Sequence, residues 1–318
     1  MDYLFFDIEC ANCDDGMGKI CTFGYVITDV HFKVLKKEDI LIRPNAKFEA
    51  YVAKKILAYP VKQINASPDF IEKYEQIKAL LEEEDRIIFG YNVKIDMGYL
   101  LSECFRYKKP LLRYKARDIQ QIFQKHLGLE QPVSLDKALC LLDEDVEKIS
   151  FHRSDEDAYA SMIVLKKLVK DKGYVLLTGK EGEKDELSST LSMAPKGILQ
   201  KIATNYAKKK AGPGELSGKI ICIDEALANN KTENYLLLVM AIIDMGGEIY
   251  KGKGRCDIFL SFEEYRNKHA KQKQVRWDNL KDSGVKRVDY MDFASEWKID
   301  FKAISMLKSE AVRSEFGG

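Results

Sequence analysis

The chain has 318 residues and a mass of 36.4 kDa, enough for two domains at roughly 100–200 residues each. Hydrophobic residues make up 46% and charged residues 32%, a composition that buries a core and excludes wholesale disorder. Lys plus Arg number 51 against 50 Asp plus Glu, a formal net charge of +1, so a globally basic nucleic-acid binder is excluded and only local patches stay open.

The chain opens with Tyr3 to Ile8, an apolar and aromatic run that predicts a strand. No basic region precedes it, so no signal peptide is expected. Thr22 to Thr28 and Val34 to Ile42 predict two further strands, joined by a turn at Asp29, Val30 and His31. Pro68 to Glu84 spaces Phe70, Ile71, Tyr74, Ile77, Leu80 and Leu81 as a helix does. Arg86 to Phe89 predicts a short strand, and Val93 to Phe105 a helix with Asn92 as its N-cap. Asp118 to Leu127, Ser134 to Leu142 and Ser154 to Val169 predict three more helices. This mixture predicts an α/β sheet domain over residues 1–172.

Residues 173–215 change character and predict a basic linker. Lys180 to Glu186 is charged and has no apolar periodicity. Pro195 to Lys210 predicts a helix ending in Lys208-Lys209-Lys210, and Gly212-Pro213-Gly214 breaks the chain. From Lys196 to Glu215 there are five lysines and one glutamate. That run is either a solvated linker or a phosphate-contacting strap, which makes Lys208, Lys209 and Lys210 candidate nucleic-acid contacts.

A smaller α/β unit is predicted over 216–298, with a tail at 299–318 carrying a short helix at Ala303 to Val312. Its strands are Lys219 to Ile223, Glu248 to Tyr250, Cys256 to Phe262 and Val285 to Tyr290. Its helices are Tyr235 to Met245 and one running through Trp297. The longest apolar run, Tyr235 to Ile243, falls far short of the roughly 20 residues that span a bilayer. Seven scattered cysteines fit free thiols in a reducing cytoplasm. Cys10-x2-Cys13 lacks a second pair at zinc spacing and reads as structural thiols.

The chemistry-bearing residues are carboxylates. Asp7 and Glu9 sit two apart on the first strand, so both point to one face. Unpaired, they repel each other and resist desolvation, which a bound cation relieves; at a strand end reaching solvent they cost little. Asp96 falls one turn into an apolar helix, where the helix dipole alone also explains an acid, and Gly98 beside it permits close approach of a ligand or backbone. Ser154 and Asp157 have capping-box spacing, which leaves His152 unexplained. Asp118 and Asp136 read as helix starts, and Asp155 and Glu156 as solvent-facing.

Taken together, Asp-x-Glu on a first strand, Asp on a mid-domain helix and His-x4-Asp at a late helix resemble the DEDDh exonuclease superfamily. That group has an RNase H-like fold and includes the proofreading epsilon subunit of bacterial DNA polymerase III and RNase T. The matching surroundings are Phe6-Asp7-Ile8-Glu9, Ile42 to Asn45, Gly90-Tyr91-Asn92 with Asp96, Ser134-Leu135-Asp136 with Leu139, and Asp157-Ala158. The resemblance implies that Asp7, Glu9, Asp96 and Asp157 hold two divalent ions, Mg²⁺ or Mn²⁺, which suit hard oxygen ligands. It implies that the ion pair stabilises the attacking and leaving oxygens of an in-line displacement. It also implies that His152 takes the proton of the attacking water, a task that suits imidazole near neutral pH. Cys10 stands where a threonine commonly follows the acidic pair, and with Asn92 is a candidate contact to the terminal nucleotide. Leu57 to Val61 lacks the histidine often found there. Arg153, four before the last acid, excludes the tyrosine variant of the site.

Residues 216–298 resemble a BRCT domain through Gly218 to Ile223, Gly246-Gly247-Glu248-Ile249, Cys256 to Leu260 and Trp297, expected to fill the core. The expected fold is therefore a mixed-sheet RNase H-like exonuclease domain, a linker and a small α/β BRCT-like domain. Such a module implies a protein partner, such as a DNA polymerase or repair factor, or DNA itself. Asp224-Glu225 after the first strand of this unit would repel a phosphopeptide. The expected activity is a cytoplasmic, metal-dependent 3′→5′ exonuclease on DNA 3′ ends, single strands preferred, with no membrane partner. An RNase T-like RNA or oligonucleotide exonuclease and a catalytically retired scaffold are the alternatives.

Overall fold

A computed structural model describes residues 1–144, 151–172, 186–269, 274–302 and 314–316. The predicted helix at 303–312 and the charged stretch 180–185 lie outside the described residues. The chain divides into two units, Met1–Pro195 with Phe316–Gly318, and Lys196–Glu315. Among the described residues no helix is long and apolar enough to cross a membrane.

The first unit is built on a mixed six-stranded sheet. Its strands are β1 (Asp2–Asn12), β2 (Lys19–Thr28), β3 (Val34–Leu41), β4 (Arg86–Gly90), β5 (Lys115–Asp118) and β6 (Glu186–Ser188), in the order β3-β2-β1-β4-β5-β6. β1 pairs antiparallel with β2 and parallel with β4. A central strand covered on both faces should be apolar throughout, and Tyr3, Leu4, Phe5 and Phe6 are all buried. Tyr3 and Phe5 join one core with Ile122 and Phe123 of helix α4 (Ile119–Leu127), Leu139 of α5 (Leu135–Leu141) and Ala158 and Leu165 of α6 (Ser154–Lys172). Phe5 stacks on Phe89 at 5.2 Å, a pair worth about 0.5–1.5 kcal/mol beyond the area it buries.

Helix α1 (Val61–Asn65) precedes α2 (Phe70–Leu81), which starts at a capping box, in which Asp69 accepts from Ile71 and Glu72 while the Glu72 carboxylate accepts the Asp69 N–H. Helix α3 (Lys94–Arg106) has Val93, not Asn92, at its N-cap position. Asn92 has a left-handed φ of 54° and gives its N–H to the Asp118 carboxylate at 2.9 Å. The same Asp118 oxygen caps α4 through Gln120 N–H at 3.0 Å. One acid thus joins two helix starts, and the strand it ends, β5, is too short to show periodicity.

The segment expected to be a linker is divided between the units. Glu186–Ser188 pairs antiparallel with β5 as the sheet edge. Lys196–Tyr206 is the predicted helix, here α7, and it buries Ile198, Leu199, Ile202 and Ala203 within the second unit.

The second unit has a four-stranded parallel sheet in the order β10-β9-β7-β8, from Ile220–Ile223 (β7), Glu248–Ile249 (β8), Ile258–Ser261 (β9) and Lys286–Asp289 (β10). The apolar helix Thr232–Asp244 packs on this sheet and on α7. Two expectations are corrected here. Trp297 does not fill the core: it lies just past the helix Tyr290–Glu296 and is only half-buried against Phe293. Asp224 does not face outward: it is fully buried, accepts the Ala226 N–H at 2.9 Å, and pairs with the buried Arg266. A capping acid with a guanidinium partner is hydrogen-bonded on all sides, which makes its burial tolerable.

Candidate active site

Along β1 side chains alternate, so Tyr3, Phe5, Asp7 and Glu9 share one face. The first two enter the core under α4 to α6, and the acids lie at the end of that row. What meets them there is decided by β2. Asp7 is opposite Gly24, and Gly24 is opposite Asp39 on β3. A Cβ at Gly24 would stand 2.0 Å from the backbone of Ser154 and Asp155. The missing side chain lets the first turn of α6 rest directly on the sheet. Thr22, two residues before, hydrogen-bonds the Ser154 hydroxyl.

That seating brings Asp157 to the acidic pair. One carboxylate oxygen each from Asp7, Glu9 and Asp157 lies within 4.8 Å of the others. Asp96, buried in the first turn of α3, exerts the largest charge effect on Asp7 after burial itself. The capping expectation for Ser154 is corrected: its hydroxyl is spent on Thr22, and Arg153 C=O takes the first N–H groups of α6, from Glu156 and Asp157. Asp157 instead accepts the His152 N–H at 2.9 Å. His152 has a left-handed φ of 66°, and its ring is 54% exposed with Nδ1 3.9 Å from Glu9 Oε1. Asp155 is buried rather than solvent-facing, because α6 lies so close to β2, and Arg153 forks onto it at 2.7 and 3.3 Å.

Burial and mutual repulsion dominate the electrostatics. Burial first, then Asp96, Asp157 and Glu9, hold the Asp7 carboxyl well above the ordinary range. Burial and then Glu9 do the same to Asp96. Glu9 is pushed up to about 7 by burial, Asp157 and Asp39. Asp157 also rises to about 7, through burial and neighbouring acids, against the lowering effect of the His152 N–H. Among the described residues no lysine or arginine pairs with any of the four. Four oxygen-bearing acids crowded without a basic partner fit divalent cations such as Mg²⁺ or Mn²⁺.

A stability consequence follows. For Glu9 and Asp157 the folded pKa lies above the unfolded one, so protons stabilise the metal-free fold. This stability is present below the ordinary carboxylate range and is lost as pH rises through about 7. In EDTA the protein is expected to lose about 1–3 kcal/mol between about pH 4 and 8, and Mg²⁺ should restore it at the alkaline end. Thermal melts with and without Mg²⁺ across that range check this. A metal-free melting temperature that rose with pH through 7 would contradict the crowded-acid arrangement.

Asp39 escaped the sequence reading. Its carboxylate oxygens are shielded from solvent, and burial and Asp155 push it up to about 7. Nothing in Lys37-Glu38-Asp39 sets this acid apart; only the register across Gly24 carries it towards the site. Gly98 admits the backbone of Met193 and the ring of Pro195 at 3.2–3.5 Å, so its small size serves chain packing. Cys10 is buried with its thiol pushed up by that burial, and Asn92 is half-buried. Lys208, Lys209 and Lys210 are exposed and belong to the second unit. All seven cysteines are free.

A family model described as Exonuclease (RNase T) matches residues 4–165. A search of curated proteins gives no match. Among solved structures, a 3′-exonuclease described in 3′-end-specific recognition of a histone mRNA stem-loop aligns at 13% identity and a TM-score of 0.47, over 54% of this chain and 64% of that one. E. coli exonuclease I in complex with a dT13 oligonucleotide aligns at 17% identity and a TM-score of 0.44, over 53% of this chain and 41% of that one. The nuclease domain of 3′hExo, a DEDDh family member bound to rAMP, aligns at 15% identity and a TM-score of 0.46, over 54% of this chain and 92% of that one. The chain thus spans less than two thirds of the first two of these structures.

Proposed function

Since this chain belongs to the exonuclease family, we propose that it is a divalent-metal-dependent 3′→5′ exonuclease releasing nucleoside 5′-monophosphates from DNA 3′ ends. The observation that carries this is the convergence of Asp7, Glu9 and Asp157 within 4.8 Å, with Asp96 buried and its charge acting on Asp7. These four acids would hold two Mg²⁺ or Mn²⁺ ions. When bound, the ions supply charge stabilisation for the attacking and leaving oxygens of a phosphodiester.

The protein's own part is positioning and proton transfer. His152 takes the proton of the attacking water. Its backbone is tied to Asp157 and its ring projects beside Glu9, so base and metal ligands move as one body. The Arg153–Asp155 fork anchors the turn that carries it. Replacing His152 by Ala is expected to lower kcat by about 10²–10⁴ with little change in melting temperature. Turnover under saturating Mg²⁺ beside thermal melts checks this: a folded variant that kept more than a tenth of the parent's kcat would remove His152 from the proton transfer.

The exonuclease domain is proposed over 1–172 and a BRCT-like adaptor over 216–298. The small parallel sheet and the Gly246-Gly247 turn support the second assignment. DNA is proposed as substrate by association with that adaptor, whose partner would be a polymerase or repair factor. The deciding experiment digests 5′-labelled single-stranded DNA and RNA of one sequence with Mg²⁺, Mn²⁺ or EDTA. Metal-dependent stepwise shortening, faster on DNA, is expected. Faster digestion of RNA would reassign the substrate, and no cleavage in any metal would leave the chain a binding protein.

A further inference from the structure

The second unit contains a basic cavity remote in sequence from the acids of β1. It encloses about 450 Å³ and is lined by Lys208, Lys209, Lys210 and Lys251, with Glu248 as its one carboxylate. The lysines reach it by two routes. Three follow α7 directly, and the fourth follows β8. Cations are ordinarily favoured at a helix C-terminus, which accounts for Lys208 to Lys210 but not for Lys251.

The cavity is held open by backbone. Gly246 has φ 86°, and a Cβ there would lie 2.7–2.8 Å from Gly212 O, Ser217 Oγ and Gly214 N. The bare turn therefore allows the segment after α7 to close against the start of β8. At Gly212 and Gly218, by contrast, a Cβ would meet nothing within 4 Å. These two glycines present uncovered main chain at the cavity wall, where another backbone can approach closely. Lys209 is already engaged, with Nζ 4.2 Å from the Tyr206 ring centroid. Lys208, Lys210 and Lys251 are exposed, and among the described residues none has a carboxylate partner.

We propose that this cavity grips the phosphodiester backbone of a single-stranded nucleic acid through Lys208, Lys210 and Lys251. The ligand class follows from the lining. Ammonium groups are flexible point charges that neutralise phosphates, without the planar fork that reads a carboxylate or a base edge. No aromatic ring lines the cavity, so bases are neither stacked nor read. The contact is therefore indifferent to sequence and strongly dependent on salt. This deepens the exonuclease proposal by giving the substrate strand a second hold, and it rests on that proposal only for the identity of the strand.

The test uses the full chain with Asp7→Asn in EDTA, so that the probe survives. Anisotropy of a fluorescein-labelled 20-nucleotide single strand is measured against salt, with and without Lys208→Ala, Lys210→Ala and Lys251→Ala together. Each phosphate neutralised contributes about 0.7 to the log–log salt slope for single strands, so the triple variant should lose about 2 from the slope. Affinity at low salt should fall at least about tenfold. The corresponding Lys→Arg triple variant should keep the slope, because charge is retained. An unchanged slope in the alanine variant overturns the proposal, as does a phosphoserine peptide binding this cavity more tightly than the oligonucleotide. Hydrolysis of a nitrophenyl ester of thymidine 5′-phosphate by the unsubstituted chain tests the exonuclease proposal separately. Failure there with a salt slope that responds to the lysines sinks the enzyme and leaves the cavity.

Discussion

Replacing Asp7 by Asn is expected to lower turnover at least about 10³-fold, close to 4 kcal/mol of transition-state stabilisation. The same change is expected to raise the metal-free melting temperature. Asp7 is isosteric with Asn, and the acid it removes faces Asp96, Asp157 and Glu9, which raise its pKa after burial. Each acid in such a cluster weakens the metal-free fold above its unfolded pKa, so deleting one charge relieves the rest. The stabilisation should be large near pH 8 and vanish by about pH 3, where the acids are protonated in both states. Activity assays beside melts in EDTA measure both effects on one sample. A variant that kept a tenth of the activity, or melted earlier than the parent in EDTA at pH 8, would remove Asp7 from the proposed metal site.

Gly24→Ala is expected to be nearly as damaging, although it changes no chemical group of the site. The added methyl would lie 2.0 Å from the Ser154 carbonyl carbon and the Asp155 nitrogen, far inside van der Waals contact. These are backbone atoms in the first turn of α6, so a rotamer change cannot relieve the clash. The helix start must lift away from β2, carrying Asp157 and His152 with it. The expected cost is about 3 kcal/mol of stability, at the upper end for overpacking. Turnover should fall about 10²-fold, the typical penalty for a displacement near 1 Å in a catalytic constellation. Urea unfolding and turnover under saturating Mg²⁺ would be measured together. A folded variant with full turnover would show that the seating of α6 on Gly24 does not place Asp157.

Much of the site was legible because its chemistry is unusual in local context. Asp7 and Glu9 interrupt a strand whose other residues are buried and apolar. Period-two alternation then places both on one face without further information. Asp96, Asp157 and His152 joined them only through the family resemblance, because the helix dipole and capping-box spacing account locally for the two acids. The helical periodicity of α2 and the apolar helix Thr232–Asp244 likewise predicted their elements to within a few residues. Strands β5 and β6 were not legible, since four and three residues carry no period and their partners lie far along the chain. The Asn92 cap failed for a related reason: a distant carboxylate, Asp118, accepts the N–H of Asn92 in its left-handed turn, and Val93 takes the N-cap position.

The amino-acid order alone determined on which strand face Asp7 and Glu9 lie, because alternation is local geometry. It also determined that three lysines lie together at the end of the α7 segment, although the helix itself stops at Tyr206. Only the tertiary structure decided that Asp39 shares the acidic neighbourhood, that Asp155 is buried, that Asp224 is locked to Arg266, and that Lys251 joins Lys208 and Lys210. Each of these depends on strand register or on where a glycine lets two backbones touch. Those are agreements between residues tens of positions apart, and no periodicity within one segment encodes them.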